Sequence, residues 1–222
     1  MRSRRGAHRQ GAPLPTSWSG WGMLQAVRRL NGQCFSFMAD AARNERARAE
    51  IPAVFAAHGL WGQVDPKACD RAGHCPILLL DLNFQRLDWW RQAISGEADE
   101  THSVNADHWF SVEMAIPLLR ELMTEAWIAA RYMPLAANLL FGMTPEVRAV
   151  IATFSVADVD RIVSVHVRSL RPRWDNSRTF WKHLLEGAVG ADDRILGATW
   201  LHCLQLLGRN AAERYNESFA RP

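Results

Sequence analysis

Four potential metal ligands lie in one stretch of the chain: His58, Cys69, His74 and Cys75. Thiolate and imidazole groups are ligands that zinc prefers in proteins. The spacing differs from that of paired zinc ligands, because His74 and Cys75 are adjacent and Cys69 stands alone. We therefore expect no metal and no cofactor. Cys69, His74 and Cys75 are weak zinc candidates, and the alternative is ordinary thiols near a loop.

Signatures of catalysis are missing from the sequence. Cysteine and histidine are present, but no motif sets a nucleophile on a turn or places a base beside it. No glycine-rich loop of the kind that holds phosphates occurs. The acidic pair Asp192 and Asp193 stands at a predicted helix start, where favourable interaction with the helix dipole explains it. The sequence thus predicts a protein that is not an enzyme and has no small-molecule substrate.

A basic stretch is the third feature with chemical potential. It contains Arg168, Arg171 and Arg173, and Arg178 and Lys182 follow. If this stretch is extended, Arg171 and Arg173 point to the same side. Such a face can hold DNA phosphates. The alternative is a solvated edge strand whose arginines pair with nearby acids, and the sequence leaves both interpretations open.

The elements that would position these residues are mostly helices, so the predicted fold is all-α with one short β element possible. Helical spacing occurs at residues 22–31, 35–49 and 54–60, and residues 62–73 have the composition of a loop. Pro76 fits a first helical turn that continues through Arg91. The polar residues 96–107 suggest a linker before a helix over 108–132.

Helix punctuation is clearest after residue 133. A short helix from Pro134 ends at Gly142, and Thr144 with Pro145 predicts the start of the next helix. Ser155 with Asp158 resembles a capping box for a helix to about Val165. The pattern then predicts an extended stretch over 165–174, a helix capped by Asp175 or Asn176 and broken at Gly187 and Gly190, and a final helix over 191–207 ending at Gly208.

Composition limits the class of protein. The chain has 222 residues, 48% of them hydrophobic and 22% charged, which suffices for a core. Residues 1–50 carry nine basic and three acidic side chains, so the net positive charge lies at the N-terminus and suits a polyanion or a solvated tail. No secretory signal or membrane span is recognisable, and reduced cysteines in the cytoplasm are expected.

Residues 140–163, LFGMTPEVRAVIATFSVADVDRIV, resemble the central segment of FlhD-type flagellar transcriptional activator subunits. Residues 170–175, LRPRWD, resemble the family's following basic segment, and residues 180–185 resemble the helix after it. Residues 81–84, DLNF, resemble an element near the family's start. The position of a cysteine that bridges subunits in some members is occupied by Leu170. Regulators of integrative conjugative elements form a related helical family that fits almost as well.

The resemblance implies a helical homodimer that joins an FlhC-like, zinc-binding partner and activates promoters. It implies five DNA contacts: Arg171, Arg173, Arg178, Lys182 and Arg194. It also implies dimer or partner surfaces, whose candidate residues are Leu80, Phe84, Leu87, Trp89, Trp90, Leu118, Leu122 and Trp127. Core packing is the alternative for each of these side chains.

The resemblance and the patterning together divide the chain into four parts. These are a flexible basic arm (1–16), a helical extension (17–75), an FlhD-like helical domain (76–208) and a tail (209–222). The expected function is that of a DNA-binding transcription activator subunit controlling flagellar or mobile-element genes. The alternative is a protein-interaction module of a conjugative element or secretion system that does not bind DNA.

Overall fold

The computed structural model of the chain describes residues 20–43, 59–95 and 109–220. The fold of these residues is all-α, as the sequence predicts, with nine helices and one two-stranded antiparallel ribbon. The predicted arm, the predicted linker over 96–107 and most of the predicted helix over 54–60 lie outside the described residues. None of the described helices is long and apolar enough to cross a bilayer.

The helices are α1 (Gly20–Arg43), α2 (Pro66–Gly73), α3 (Leu87–Ser95), α4 (Val112–Tyr132), α5 (Pro134–Leu140), α6 (Pro145–Ala152), α7 (Val156–Val165), α8 (Arg178–Gly190) and α9 (Asp193–Ala220). The strands are β1 (Leu80–Asp81) and β2 (Arg171–Pro172), and single 3-10 turns occupy Gly59–Gln63 and Val167–Ser169. A single apolar core contains side chains from all nine helices.

The first two helices pack closely against each other. α1 is continuous through the gap that the sequence pattern suggested between residues 31 and 35. The prediction of a loop over 62–73 is wrong, because Asp65 caps α2 by accepting a hydrogen bond from the Ala68 N–H at 2.6 Å, and Pro66 follows. A Cβ atom at Gly73 would lie 2.8 Å from the Arg28 carbonyl oxygen, so glycine permits this close approach.

The segment after α2 is extended, and the predicted helix from Pro76 is wrong over its first turns. Asn31, fully buried on α1, holds this segment through its backbone. Its Nδ2 donates to the carbonyl oxygens of Cys75 (3.0 Å) and Ile77 (2.9 Å), and its Oδ1 accepts from the Leu79 N–H (2.7 Å). Backbone groups that are bound to a side chain in this way are not free to form the backbone hydrogen bonds of an α-helix.

The extended segment leads into β1, which pairs with β2. Leu80 lies opposite Pro172 and Asp81 opposite Arg171, so a short β element is confirmed. The Arg173 N–H continues the pairing by donating to the Leu79 carbonyl oxygen at 2.7 Å.

Three of the capping signals after residue 133 are confirmed. The predicted cap at Asp175 or Asn176 is wrong, because Ser177 precedes α8 and makes no side-chain capping hydrogen bond. Gly142 follows α5 with φ +66°, a backbone conformation that favours glycine. Thr144 caps α6 by accepting from the Val147 N–H, and Ser155 and Asp158 form the reciprocal capping box of α7.

The last two helices form an antiparallel hairpin. Gly187 lies level with Leu196, where a Cβ atom would approach the Leu196 Cγ to 3.0 Å, and Phe180 contacts His202 at the other end. Gly187 therefore allows the two helices to pack closely. The prediction that it breaks α8 is wrong, because α8 continues to Gly190. The backbone of α9 also continues past Gly208, contrary to the predicted end there.

Candidate functional site

The predicted DNA contacts lie on and beside the α8–α9 hairpin. Arg171, Arg178, Lys182 and Arg194 are all exposed. Arg178 and Lys182 are one helical turn apart and share a side of α8. Arg194 is the second residue of α9. Because Leu196 lies level with Gly187, Arg194 is roughly 16 Å along the hairpin from Arg178 at 1.5 Å per residue. The structure thus places these cations along an elongated element.

These exposed cations differ in their partners. Arg171 pairs across the ribbon with Asp81, at 3.1 Å between Nη2 and Oδ2. Lys182 has a loose pair with Glu186 at 3.8 Å. The side chains of Arg178 and Arg194 form no ion pair with any described residue. A DNA phosphate would therefore compete with a carboxylate at Arg171 and Lys182 but with water alone at the other two.

Arg173 is not part of this surface. Its side chain is only 5% exposed, so the prediction that it contacts DNA beside Arg171 is wrong. Its Nη2 donates to the carbonyl oxygen of Phe141, and its guanidinium lies under Gly142. Burial lowers the pKa of Arg173, while the charge of Asp81 acts in the opposite direction. The strand ends at Pro172, and Trp174 adopts φ +54°, so the alternation assumed for an extended chain does not continue.

The α6–turn–α7 unit has the spacing of a helix-turn-helix, but its charge argues against a DNA-recognition role. The exposed side of α7 presents Asp160 and the partly buried Asp158. Asp160 pairs with Arg120 of α4, and Asp158 pairs with Arg161 at 3.1 Å. The unit carries three acidic and two basic side chains, so it has no net positive charge for the phosphate backbone, and the basic hairpin is the better candidate interface.

Most of the predicted dimer residues belong to the core of the chain. Leu80, Phe84, Trp90, Leu118 and Leu122 are fully buried, and the prediction that they contact another subunit is therefore wrong. The helical spacing of these apolar side chains reflects packing in the core of this chain and not an interface with another subunit.

The other three predicted interface residues, Leu87, Trp89 and Trp127, are partly buried against the same core. The Trp89 ring contacts both Trp90 and His166, and burial lowers the pKa of His166. Part of each of these three side chains is exposed and is available to a partner.

An exposed apolar surface, which the sequence analysis missed, lies at the junction of α4 and α5. Leu135 is 77% exposed and Leu139 63%, and the exposed Tyr132 precedes them on α4. The four-residue spacing of the two leucines was a usable signal, because it places both on one side of α5. On α9, Leu201 and Leu204 are exposed as well, on the side away from the buried Cys203.

The weak zinc candidates do not come together. Cys69 is half-buried and burial raises its pKa, whereas the His74 Nδ1 lies 2.7 Å from the Asp70 carbonyl oxygen. Cys75 is fully buried beside Cys203 instead. No group of three or more metal-ligating side chains occurs among residues 20–43, 59–95 and 109–208. His58 lies outside the described residues.

No protein-family model, curated protein or solved structure matches the chain significantly.

Proposed function

We propose that the chain is a DNA-binding subunit of an FlhD-type transcription regulator, acting as a dimer or with an FlhC-like partner. The observation that carries this proposal is the row of exposed cations on the α8–α9 hairpin, of which Arg178 and Arg194 have no carboxylate partner among the described residues. Unpaired arginines on a helical hairpin are suited to phosphate oxygens, which they bind without reading base sequence.

The β-ribbon brings together two of the segments on which the resemblance rests. The segments 81–84 and 170–175 carry the resemblance and lie about ninety residues apart in the chain. They meet in one structural unit, where Asp81 lies opposite Arg171. Phe84 packs edge-on against Phe141, which belongs to the third resembling segment, with ring centroids 6.3 Å apart.

The proposed mechanism separates positioning from sequence recognition. Arg178, Lys182 and Arg194 would hold the backbone of the duplex, while the partner and the spacing within the assembly would select the promoter. Phosphate contacts make the affinity depend on salt, with a slope of about −0.9 in log K against log salt for each phosphate neutralised.

The test compares two double variants of the full chain for binding to a fluorescent duplex of mixed sequence at a series of salt concentrations. The pair Arg178→Ala with Arg194→Ala should weaken binding and make the slope less negative by about 1.8. The matched control is Lys67→Ala with Arg91→Ala, which removes two exposed cations from α2 and α3. Equal slopes for both double variants, or no binding by the wild-type chain with its partner, would refute the proposal.

The second candidate function is a protein-interaction module without DNA contact, in a conjugative element or secretion system. The neighbouring exposed side chains of Leu135 and Leu139 favour it, because adjacent exposed apolar side chains are typical of a protein-interaction surface. A stable complex with the FlhC-like protein that does not retain the same duplex at low salt would support this candidate instead.

A further inference from the structure

Two cysteines far apart in sequence lie in contact inside the protein. The Sγ atoms of Cys75 and Cys203 are 3.6 Å apart, across a separation of 128 residues. Cys75 follows α2 in the extended segment that Asn31 holds, and Cys203 lies on the inner face of α9. Both side chains are fully buried. A covalent bond of about 2.05 Å requires the two sulfurs to approach by roughly 1.5 Å, within reach of small side-chain and backbone shifts.

The other two cysteines have different surroundings. The Cys34 Sγ lies 3.8 Å from the Met38 Sδ, and burial raises the pKa of Cys34. Cys69 is half-buried, and burial raises its pKa as well. Neither side chain is hydrogen-bonded to the Cys75–Cys203 pair. Cys75 and Cys203 are therefore the two cysteines placed to react with each other.

The two thiols share one hydrogen bond. Either sulfur can be its donor, so the thiolate of one cysteine is stabilised by the S–H group of the other. The buried guanidinium of Arg173 favours the thiolate form of both sulfurs, against the effect of burial. Either sulfur can therefore be the attacking thiolate, with the other as the resolving thiol.

We propose that Cys75 and Cys203 form a reversible intramolecular disulfide, with a small hydroperoxide as oxidant, that fastens α9 to the segment following α2. The thiolate of one cysteine attacks the outer peroxide oxygen, the O–O bond breaks, and the departing hydroxide or alkoxide takes up the proton that the thiol released. The sulfur of the other cysteine then attacks the resulting sulfenic acid, an S–S bond forms, and water leaves with the hydroxyl group and the proton of the second thiol. A small dithiol restores both thiols by exchange.

Fastening α9 has a structural effect because this helix packs chiefly on α8. The cross-link would add a second attachment between α9 and the body of the protein. The exposed Leu201 and Leu204, close to Cys203 on the same helix, would then be held in a fixed position. Because both sulfurs are buried, their oxidation by a small peroxide would require α9 to move on α8.

The test uses the full wild-type chain treated with hydrogen peroxide, followed by alkylation under denaturing conditions. The expected result is a fall from four alkylated thiols to two and a non-reduced tryptic peptide that joins Cys75 to Cys203. Treatment with dithiothreitol should restore four thiols. Retention of all four thiols, a cross-link through Cys34 or Cys69, or sulfinic acid at Cys75 or Cys203 without a cross-link would overturn the proposal.

Two variants and a melting experiment complete the test. Cys69→Ser should keep the loss of two thiols, and Cys203→Ala should abolish it. Since Cys203 is buried, its replacement could impair folding, and the wild-type peptide map then decides alone. The oxidised wild-type chain should melt at a higher temperature than the reduced chain, and dithiothreitol should reverse the shift. Equal melting temperatures in both states would show that the bond does not fasten α9.

Discussion

Replacement of Asn31 by alanine is expected to destabilise the protein more than any change of a surface hydrogen bond. Asn31 is fully buried and makes three hydrogen bonds to the backbone of residues 75–79, with lengths between 2.7 and 3.0 Å. Without its side chain, two carbonyl oxygens and one N–H would lose their partners in a site closed to water.

The magnitude follows from these three bonds. A net contribution of about 1 kcal/mol for each bond, with a further penalty for buried groups left without a partner, gives a loss of roughly 3–6 kcal/mol. Domains of ordinary stability unfold with about 5–15 kcal/mol, so Asn31→Ala would remove a large share of the total.

Urea unfolding followed by tryptophan fluorescence and circular dichroism measures this loss. The midpoint should fall while the slope with urea stays unchanged, because the surface exposed on unfolding is nearly the same. The matched control is Gln33→Ala, on the same helix, which removes a single partly buried bond to Glu121 (3.0 Å) and should cost about 1 kcal/mol or less. A loss below about 1 kcal/mol for Asn31→Ala, or one equal to that of the control, would refute the assigned role.

Three further predictions concern local features. Ser155→Ala should cost about 1 kcal/mol by urea unfolding through loss of the α7 cap, and a loss near zero would contradict the capping box. The hydrogen bonds from Ser155 lower the pKa of Asp158. The stability that they contribute is present above the unfolded pKa of about 4 and is lost as the pH falls through the folded pKa. The free energy of unfolding should therefore decline less on acidification in Ser155→Ala than in wild type. Gly142→Ala should cost about 2 kcal/mol or more, since it combines a φ of +66° with a Cβ atom 2.9 Å from the Arg173 Nη1; a melting temperature equal to that of wild type would contradict this.

Local signals in the sequence were sufficient for α6 and α7. Thr144, Pro145, Ser155 and Asp158 act within a few residues of where they stand, so their effect on the backbone can be predicted without knowing the tertiary fold. The all-α class followed from helical spacing in the same way.

The errors arose where a distant residue decides the local structure. Ile77 and Leu80 have helical spacing, but Asn31 binds the backbone around them from another helix. Gly187 has a composition that suggests a break, but it provides room for Leu196. No pattern within a short window contains either partner.

In the candidate site, too, features set by nearby residues could be predicted and features set by distant residues could not. The exposure of Arg178, Lys182 and Arg194 could be predicted from the polar side of an amphipathic hairpin. The burial of Arg173 could not, because it depends on the turn at Trp174 and on the Phe141 carbonyl oxygen, 32 residues away. The prediction of interface residues was wrong for the buried ones, because apolar residues of the core and of a partner-binding helix face have the same periodicity in the sequence.

The β-ribbon has a consequence for synthesis of the chain on the ribosome. Asp81 acquires its partner Arg171 only after 90 further residues have been added. At about 5–20 residues per second, β1 waits roughly 5–20 s in the nascent chain without its partner strand. Until then residues 77–82, which are almost wholly buried in the finished protein, lack the cover that β2 provides.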